Sequence, residues 1–267
     1  MNNAAISRRR PGFFQAQCAW AAARAGPSFN RTAGARGLAL TELAEKAGIP
    51  HPSVHRLLGQ LAAERLSEFN SESRRYKLGP LAFELGLASS TMHDIRDLCE
   101  SAMDRLAQET EDTVYLVVRS GFDAVCMHRK EGSFPIRTLT LEVGSRRPLG
   151  VGAGGLAILS AIGDEERSEI IQRIAPQLAA FGKLTAEDLA EACEQARSLG
   201  AAVIQNRVSL GVKAVGLPFR DSIGQAVGAL SVAALSQRLN RRRTQQITDL
   251  LREATRSVEL QLRKRKS

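Results

Sequence analysis

The alternation of apolar and polar residues is sharpest between positions 40 and 61, where it predicts two short helices. Thr41 can cap the first helix and Gly48 can end it. The second begins near Pro52 or Ser53, and its apolar residues follow the spacing of a helix with one buried face. The predicted buried residues are Leu43, Ala44 and Ala47, then Val54, Leu57, Leu58 and Leu61. Two short helices joined by a tight glycine-containing turn form a helix-turn-helix.

A polar hairpin is predicted directly after these helices, over Leu66–Leu78. Its turn is the polar run 70–73, and basic residues follow on the returning strand. A hairpin in this place is the wing of a winged helix-turn-helix. Two further helices, over about 80–90 and about 95–106, would link this part of the chain to the rest.

From Thr113 onward the pattern becomes that of strands mixed with helices. Strands are predicted at 114–118, 124–128, 136–143, 201–205, 211–218 and 226–234. Helices are predicted after a glycine-rich turn at 150–155, from Asp164, from Thr185 to Gly200, and over about 239–264. Because no βα unit repeats, we expect an α+β fold with an antiparallel sheet rather than a doubly wound one.

Composition and cysteine spacing indicate an ordinary cytoplasmic globular protein. The chain is 43% apolar and 24% charged. No apolar run approaches the roughly 20 residues that span a bilayer, and Pro11 and Arg24 interrupt the segment that follows a weak twin-arginine pattern. The four scattered cysteines, Cys18, Cys99, Cys126 and Cys193, are expected to be reduced thiols rather than disulfides or metal ligands.

Charge is divided unevenly along the chain. Residues 1–80 carry 12 basic and 5 acidic side chains, residues 81–240 carry 16 and 20, and residues 241–267 carry 9 and 3. A basic first part and an acidic middle are typical of a DNA-contacting module joined to a regulatory domain, although a solubilising surface would give the same counts. The basic C-terminal run is interpreted as a solvated helix face.

The outward side of the second helix is the candidate DNA-reading surface. In a helix-turn-helix this helix presents its N-terminal and outward side chains to the major groove. The residues expected there are His51, Ser53, His55, Arg56 and Gln60. Arg56 can bond guanine through two nitrogens. On the wing, Arg74, Arg75 and Lys77 are expected to neutralise phosphates, which adds affinity but little sequence preference.

These segments resemble the IclR family of bacterial transcription regulators. The resemblance runs from about Leu38 to Leu262 and is carried by the motifs SVHRLL and YKLG, then VGSRRPLG, ALSV and the last helix. It implies a winged helix-turn-helix, a linker helix and a GAF-like effector domain, acting as a homodimer or homotetramer on double-stranded operator DNA. The implied parts are a poorly patterned segment 1–37 (in which a helix over about 13–25 is an open alternative), a DNA-binding domain 38–79, linker helices 80–111 and an effector domain 112–267.

This chain departs from the family pattern in three places. His51-Pro52-Ser53 stands where the family has Lys-Ser-Thr at the start of the recognition helix. Proline is tolerated at a first helical position, so the helix should form with different base contacts. Glu64 or Arg65 takes the place of the glycine before the wing, and residues 1–37 match the family's first helix poorly.

The glycine-rich turn at 150–155 contains the letters G-x-G-x-x-G but lacks the context of a dinucleotide site. That site needs a buried strand before the motif and an acidic residue at the end of the next strand. The favoured interpretation is a helix N-terminus whose amides can bind an anion. In family members that bind small acids this turn lines the effector site, which implies Ala153 and Gly154 here.

The remaining effector positions implied by the family are Ile204, Ala214, Ser231 and Ala233. Only Ser231 retains a polar group where acid-binding members have a carboxylate, a thiol and two hydroxyls. The effector is therefore expected to be an organic acid, larger or more apolar than a two- or three-carbon keto acid, with an aromatic acid as one form.

Catalysis finds little support in the sequence. His51 and His55 have the spacing of helical metal ligands, but the glutamate of a metalloprotease is missing between them. We expect no enzyme activity, no cofactor and no metal. The alternative function is a ligand-binding protein with impaired DNA binding, and a nucleotide-using enzyme is more distant.

Overall fold

A computed structural model describes residues 37–88 and 90–264, without the side chains of residues 86–94. The chain folds as two compact units, one that ends at Ser90 and one that begins at Thr91. The predicted segment 1–37, with its alternative helix over about 13–25, lies outside the described residues except for Gly37.

The N-terminal unit is a winged helix-turn-helix, as expected. Its elements are β1 (Leu38–Ala39), α1 (Leu40–Ala47), α2 (His51–Ala63), β2 (Ser67–Asn70), β3 (Arg75–Leu78) and α3 (Pro80–Ala88). The strands form an antiparallel sheet in the order β1-β3-β2. The buried core comprises Leu38, Leu43, Ala44, Val54, Leu58 and Tyr76. The inward faces of α1 and α2 thus pack on each other and on the wing.

The first helix begins differently from the expectation. Thr41 lies inside α1, and the carboxylate of Glu42 accepts a hydrogen bond from the Ala39 amide at 2.8 Å. Glu42 therefore satisfies one of the amides that a helix start leaves without a partner. Strand β1, in which Leu38 pairs with Tyr76, was not predicted because two residues are too few to show periodicity.

The wing begins at a residue with unusual backbone geometry. Arg65 has φ 58°, in the left-handed region where glycine costs least. The Leu66 amide bonds back to the Leu61 carbonyl at 2.8 Å, which turns the chain out of α2. An arginine can therefore take the place of the family's glycine here, at a conformational cost of roughly 1 kcal/mol.

The C-terminal unit is a six-stranded antiparallel sheet with helices on both faces. Its elements are α4 (Ser90–Thr110), β4 (Thr113–Ser120), β5 (Asp123–Lys130), β6 (Arg146–Pro148), α5 (Ala153–Ser160), α6 (Asp164–Leu178), α7 (Ala186–Leu199), β7 (Ala202–Gln205), β8 (Val212–Arg220), β9 (Ala226–Leu235) and α8 (Arg241–Lys264). The strand order is β6-β5-β4-β9-β8-β7. This arrangement confirms the α+β class.

Two apolar cores lie on opposite faces of this sheet. One contains buried residues of α5, α6 and α7. The other contains Cys99, Met103 and Leu106 of α4 together with Ile247 and Leu251 of α8. Much of the predicted linker 80–111 therefore belongs to the core of the C-terminal unit.

The predicted strand at Ile136–Val143 is wrong, because this segment pairs with no neighbouring strand. Its apolar side chains Ile136, Leu139 and Val143 are exposed. The segment is instead attached at Tyr115, whose hydroxyl donates to the Thr138 carbonyl at 2.5 Å and accepts from the Thr140 amide at 3.1 Å. The apolar residues of this segment alone therefore led to a wrong strand prediction. The strand that pairs with β5 is instead the short β6, which follows the segment.

Candidate DNA-binding surface and effector cavity

Helix α2 buries one face and presents a polar one. Val54 and Leu58 are buried in the core of the N-terminal unit. Of the predicted DNA-contacting residues on α2, His51, His55 and Arg56 are exposed, while Ser53 and Gln60 are partly buried. Arg56 makes no hydrogen bond or ion pair with the described residues, so its guanidinium can bond to a base edge.

The three basic residues of the wing differ in their surroundings. Arg74 lies in the wing turn with φ 54° and an exposed side chain that makes no ion pair with the described residues. Arg75, in contrast, donates to the Gly37 carbonyl at 2.9 Å and to the Glu42 carboxylate at 3.2 Å. Lys77 is partly buried on β3. Arg75 thus joins the start of α1 to the wing.

The net charge of this unit does not by itself mark a DNA-binding surface. Residues 37–88 carry six basic and six acidic side chains, whereas residues 1–36 carry six basic and none acidic. The basic excess of the first part of the chain therefore lies ahead of the helix-turn-helix. The case for DNA contact depends instead on where individual side chains of α2 and the wing are placed.

One cavity of about 40 Å³ lies between the start of α5 and the sheet in the C-terminal unit. All six residues that the resemblance implied for the effector line it: Ala153 and Gly154 on α5, Ile204 on β7, Ala214 on β8, and Ser231 and Ala233 on β9. Residues far apart in the sequence are thus brought together here.

The glycines of the turn allow α5 to lie close to the sheet. A side chain on Gly154 would place its Cβ 3.0 Å from Val117 Cγ2 and 3.5 Å from Ser231 Oγ. Gly150 and Gly152 have φ 97° and 84°, which side chains rarely allow. The dinucleotide interpretation fails because the motif needs a parallel βαβ unit, and the strands of this sheet pair antiparallel.

Several other cavity residues were not predicted from the sequence. They are Tyr115, Cys126, Thr140, Arg147 and Arg207, among others. The two arginines are the only charged side chains among the described residues that line the cavity. The alternation of Arg146 and Arg147 along a short strand before the glycine-rich turn could have indicated that one of them faces inward.

The Cys126 thiol and the Tyr115 hydroxyl, which line the cavity, lose their protons only above neutral pH. Burial raises the pKa of the Cys126 thiol to about 11, and burial also raises the pKa of the Tyr115 hydroxyl. Both groups are therefore uncharged near pH 7, which leaves the cavity with positive charge only.

The described residues contain no group of three or more His, Cys, Asp or Glu side chains placed to hold a metal ion. No helix among the described residues has the length and apolar character needed to cross a membrane.

Comparison with known proteins identifies both units. A family model described as Bacterial transcriptional regulator IclR C-terminal matches residues 88–260, and one described as IclR helix-turn-helix domain matches residues 32–71. The HTH-type transcriptional regulator KipR of Bacillus subtilis is 28% identical over 221 residues, 81% of this chain and 86% of KipR. The repressor AllR of Escherichia coli K12 is 28% identical over 239 residues, 84% and 87% of the two chains.

Solved structures share the fold. An IclR homolog from Microbacterium hydrocarbonoxydans, complexed with 4-hydroxybenzoate, matches with a TM-score of 0.72 at 22% identity over 92% of this chain and 99% of that one. A regulator from Silicibacter matches with a TM-score of 0.78 at 20% identity over 92% and 96%.

Proposed function

The chain belongs to the IclR family and is a DNA-binding transcription regulator controlled by a small-molecule effector, and from this premise we propose which residues perform each task. The observation that carries the proposal is the exposed polar face of α2 opposite its buried Val54 and Leu58. In this account α2 lies in the major groove of double-stranded operator DNA, and an effector bound in the cavity changes operator affinity.

Arg56 is assigned the main sequence-reading contact. It is exposed and without a partner among the described residues, and a bidentate arginine–guanine contact is worth roughly 1–3 kcal/mol of discrimination. His51, Ser53, His55 and Gln60 lie on the same helix and are assigned to neighbouring bases or phosphates.

Arg74 and Lys77 are assigned to phosphates of the operator. Arg75 is assigned mainly a structural task, since it already bonds Gly37 and Glu42. Phosphate contacts position the protein on DNA without reading sequence, so the wing contributes affinity and salt dependence.

Selection of binding sites from random duplex DNA tests the assignment of α2. We expect a roughly palindromic site, and we expect the Arg56→Ala variant to lose about 10- to 100-fold in affinity for it and to relax the preference at one base pair. Arg197→Ala, which removes an exposed arginine from α7, is the matched control and should bind as the parent does. If Arg56→Ala selects the same sequence with the same preference, α2 does not read DNA through this residue.

The same selection separates the alternative function. Weak retention on DNA without sequence preference would favour a ligand-binding protein with impaired DNA binding. Sharp salt-dependent retention on one sequence favours the regulator.

The effector is assigned as an organic acid, and the cavity favours a smaller one than expected from the sequence, from which we predict an acid larger or more apolar than a two- or three-carbon keto acid. The cavity volume of about 40 Å³ is about a quarter of the roughly 150 Å³ that accommodates benzene in a protein interior. The 4-hydroxybenzoate of the Microbacterium homolog supports an aromatic acid as the alternative, for which a cavity of this volume would have to widen. A rise in melting temperature with pyruvate or butyrate, and none with aromatic acids, would support the smaller class.

The remaining assignments follow the family. We place the protein in the cytoplasm as a homodimer or homotetramer, since a two-fold assembly matches a palindromic operator. The relatives named above are transcription regulators, and we assign the chain no catalytic role and no cofactor.

A further inference from the structure

We propose that residues 1–36 act as a basic arm that binds the phosphate backbone of double-stranded DNA at and beside the operator half-site. The inference rests on the proposed function only in that it takes the chain to bind DNA. It adds a contact surface to those of α2 and the wing, and it assigns that surface to affinity rather than to the reading of sequence.

The charge of the basic arm has one sign. Residues 1–36 carry six basic side chains and no acidic one. The basic residues are all arginines, namely Arg8, Arg9, Arg10, Arg24, Arg31 and Arg36. A surface that serves only solubility mixes charges of both signs. The lack of acidic residues over this whole segment therefore favours a negatively charged partner.

The helix-turn-helix unit supplies little electrostatic attraction of its own. Residues 37–88 carry six basic and six acidic side chains. Two of the basic ones already have acidic partners, since Arg65 pairs with Glu84 at 2.7 Å and Arg75 pairs with Glu42 at 3.2 Å. Affinity for DNA depends strongly on the counterions that basic side chains release from phosphates. The charge that such binding needs therefore lies mainly in the basic arm.

The basic arm joins the described fold at the wing. Gly37 follows the arm directly, and its carbonyl accepts a hydrogen bond from Arg75 Nη1 at 2.9 Å. Leu38 then pairs with Tyr76 on β3. A Cβ on Gly37 would lie 3.1 Å from Lys77 Cγ. The arm therefore ends next to a basic residue that is assigned to DNA phosphates.

The length of chain between each arginine and Gly37 limits their separation. Because a chain spans at most about 3.6 Å per residue, Arg31 lies within roughly 22 Å of Gly37 whatever the conformation between them. This is shorter than one turn of DNA, which is about 34 Å. Arg31 and Arg36 are therefore assigned to the half-site that the wing contacts. The cluster Arg8–Arg10 is farther along the chain and is assigned to the DNA that flanks the half-site.

Most of the basic arm precedes the part of the chain that matches the helix-turn-helix family. That match begins at residue 32, and five of the six arginines come before it. The arm can therefore be changed without altering the helix-turn-helix itself.

An anionic lipid surface is the alternative partner. Phe13, Phe14 and Trp20 follow the cluster Arg8–Arg10, and aromatic residues beside basic ones are typical of segments that bind membrane surfaces. DNA is favoured because the arm joins the fold at Gly37, which is bonded to the wing.

The test measures the affinity of the full chain for random-sequence duplex DNA over a range of salt concentrations, by fluorescence anisotropy. The variant combines Arg8→Gln, Arg9→Gln and Arg10→Gln. We expect the slope of log affinity against log salt concentration to become less steep by about 2.7 per chain, or about 0.9 for each phosphate that is no longer neutralised. The variant should still select the operator sequence of the parent, because phosphate contacts do not read sequence.

The matched control combines Arg241→Gln, Arg242→Gln and Lys264→Gln. These three side chains are exposed on α8, and their removal lowers the net charge of the chain by the same amount. The control should keep the salt slope of the parent. A melting temperature equal to that of the parent shows that each variant is folded.

The length of the DNA gives a second readout. Trimming a selected operator to its two half-sites removes the flanking phosphates that are assigned to Arg8–Arg10. Trimming should therefore weaken binding of the parent more than binding of the variant. An equal loss for both proteins would contradict the assignment of this cluster to flanking DNA.

Three results would overturn the inference. The first is a slope that falls by less than about 0.9 per chain in the variant, and the second is an equal fall in the control. The third is tighter DNA binding by the variant, which would show that the arm covers an acidic surface of the chain. An unchanged slope on DNA, with binding to vesicles of phosphatidylserine and phosphatidylcholine that the variant loses, would assign the arm to membranes instead.

Failure of the inference and failure of the proposed function give different results. A reduced slope on random DNA, without any selected operator, would leave the inference standing and remove the assignment of α2. A selected operator read through Arg56, with an unchanged slope in the variant, would do the reverse. Lack of DNA binding by the parent even at low salt would contradict both.

Discussion

Arg74 and Arg75 lie in different surroundings, so we expect their substitutions to change different properties. Arg74 should affect the salt dependence of DNA binding, and Arg75 should affect stability. Arg74 is exposed in the wing turn and makes no ion pair with the described residues, whereas Arg75 is bonded to Gly37 and Glu42. Arg74→Ala should therefore remove a contact with a DNA phosphate. Arg75→Ala should instead remove the hydrogen bonds that join the start of α1 to the wing.

The magnitude follows from counterion release. Each neutralised phosphate contributes about 0.9 to the slope of log affinity against log salt concentration. If each chain of a dimer neutralises one phosphate fewer, the slope should become less steep by about 1.8. Between 50 and 200 mM salt, the difference in affinity between the parent and Arg74→Ala should then shrink roughly 12-fold.

Arg75→Ala should leave the salt slope unchanged and lower stability instead. The ion pair with Glu42 is partly exposed, with both side chains more than a third accessible, so its removal should cost about 1 kcal/mol or less. Fluorescence anisotropy on a selected operator over a range of salt concentrations, together with thermal denaturation, measures both quantities. A reduced slope for Arg75→Ala with an unchanged slope for Arg74→Ala would refute the reasoning.

Three further predictions concern the cavity, the N-terminal core and the thiols. Gly154→Val should abolish effector binding and retain operator binding, because a Cβ there already lies 3.0 Å from Val117; calorimetry and DNA binding check it, and normal effector affinity would contradict it. Leu58→Ala should lower the free energy of unfolding of the N-terminal unit by about 2–5 kcal/mol because Leu58 is buried; denaturant titration beside the exposed Glu45→Ala control checks it, and equal effects would contradict it. Burial raises the pKa of Cys99 to about 12, so native protein at pH 8 should hold only ~10⁻⁴ of this thiol as the reactive thiolate; rapid alkylation before denaturation, seen by mass spectrometry, would contradict it.

Much of the fold could be predicted because its signals are local. The i, i+3, i+4, i+7 spacing of Val54, Leu57, Leu58 and Leu61 requires a helix with one buried face, and α2 has that form. The Thr185 and Asp188 pair predicted the start of α7, where each side chain bonds the other residue's backbone amide. Such features depend on residues a few positions apart.

Other features could not be predicted because they depend on contacts between distant residues. The false strand at Ile136–Val143 has an apolar pattern, but its attachment to Tyr115 is fixed by the tertiary structure. The position of Arg147 at the cavity depends on the register in which its short strand pairs with β5, which places it opposite Ala124. That these six residues line one cavity could be predicted only through resemblance to a family, since sequence spacing does not bring Ala153 to Ser231.

The most direct test of the account is operator affinity measured with and without the acid that binds the cavity. If the effector controls DNA binding, saturating acid should change the affinity of the parent for its selected operator by about 5- to 150-fold, the usual range of allosteric coupling. Gly154→Val should show the same operator affinity without acid and little response to it, because a Cβ at this position lies 3.0 Å from Val117 Cγ2. Equal operator affinity of the parent with and without saturating acid would contradict the account, because a ligand without differential affinity for the two states shifts neither.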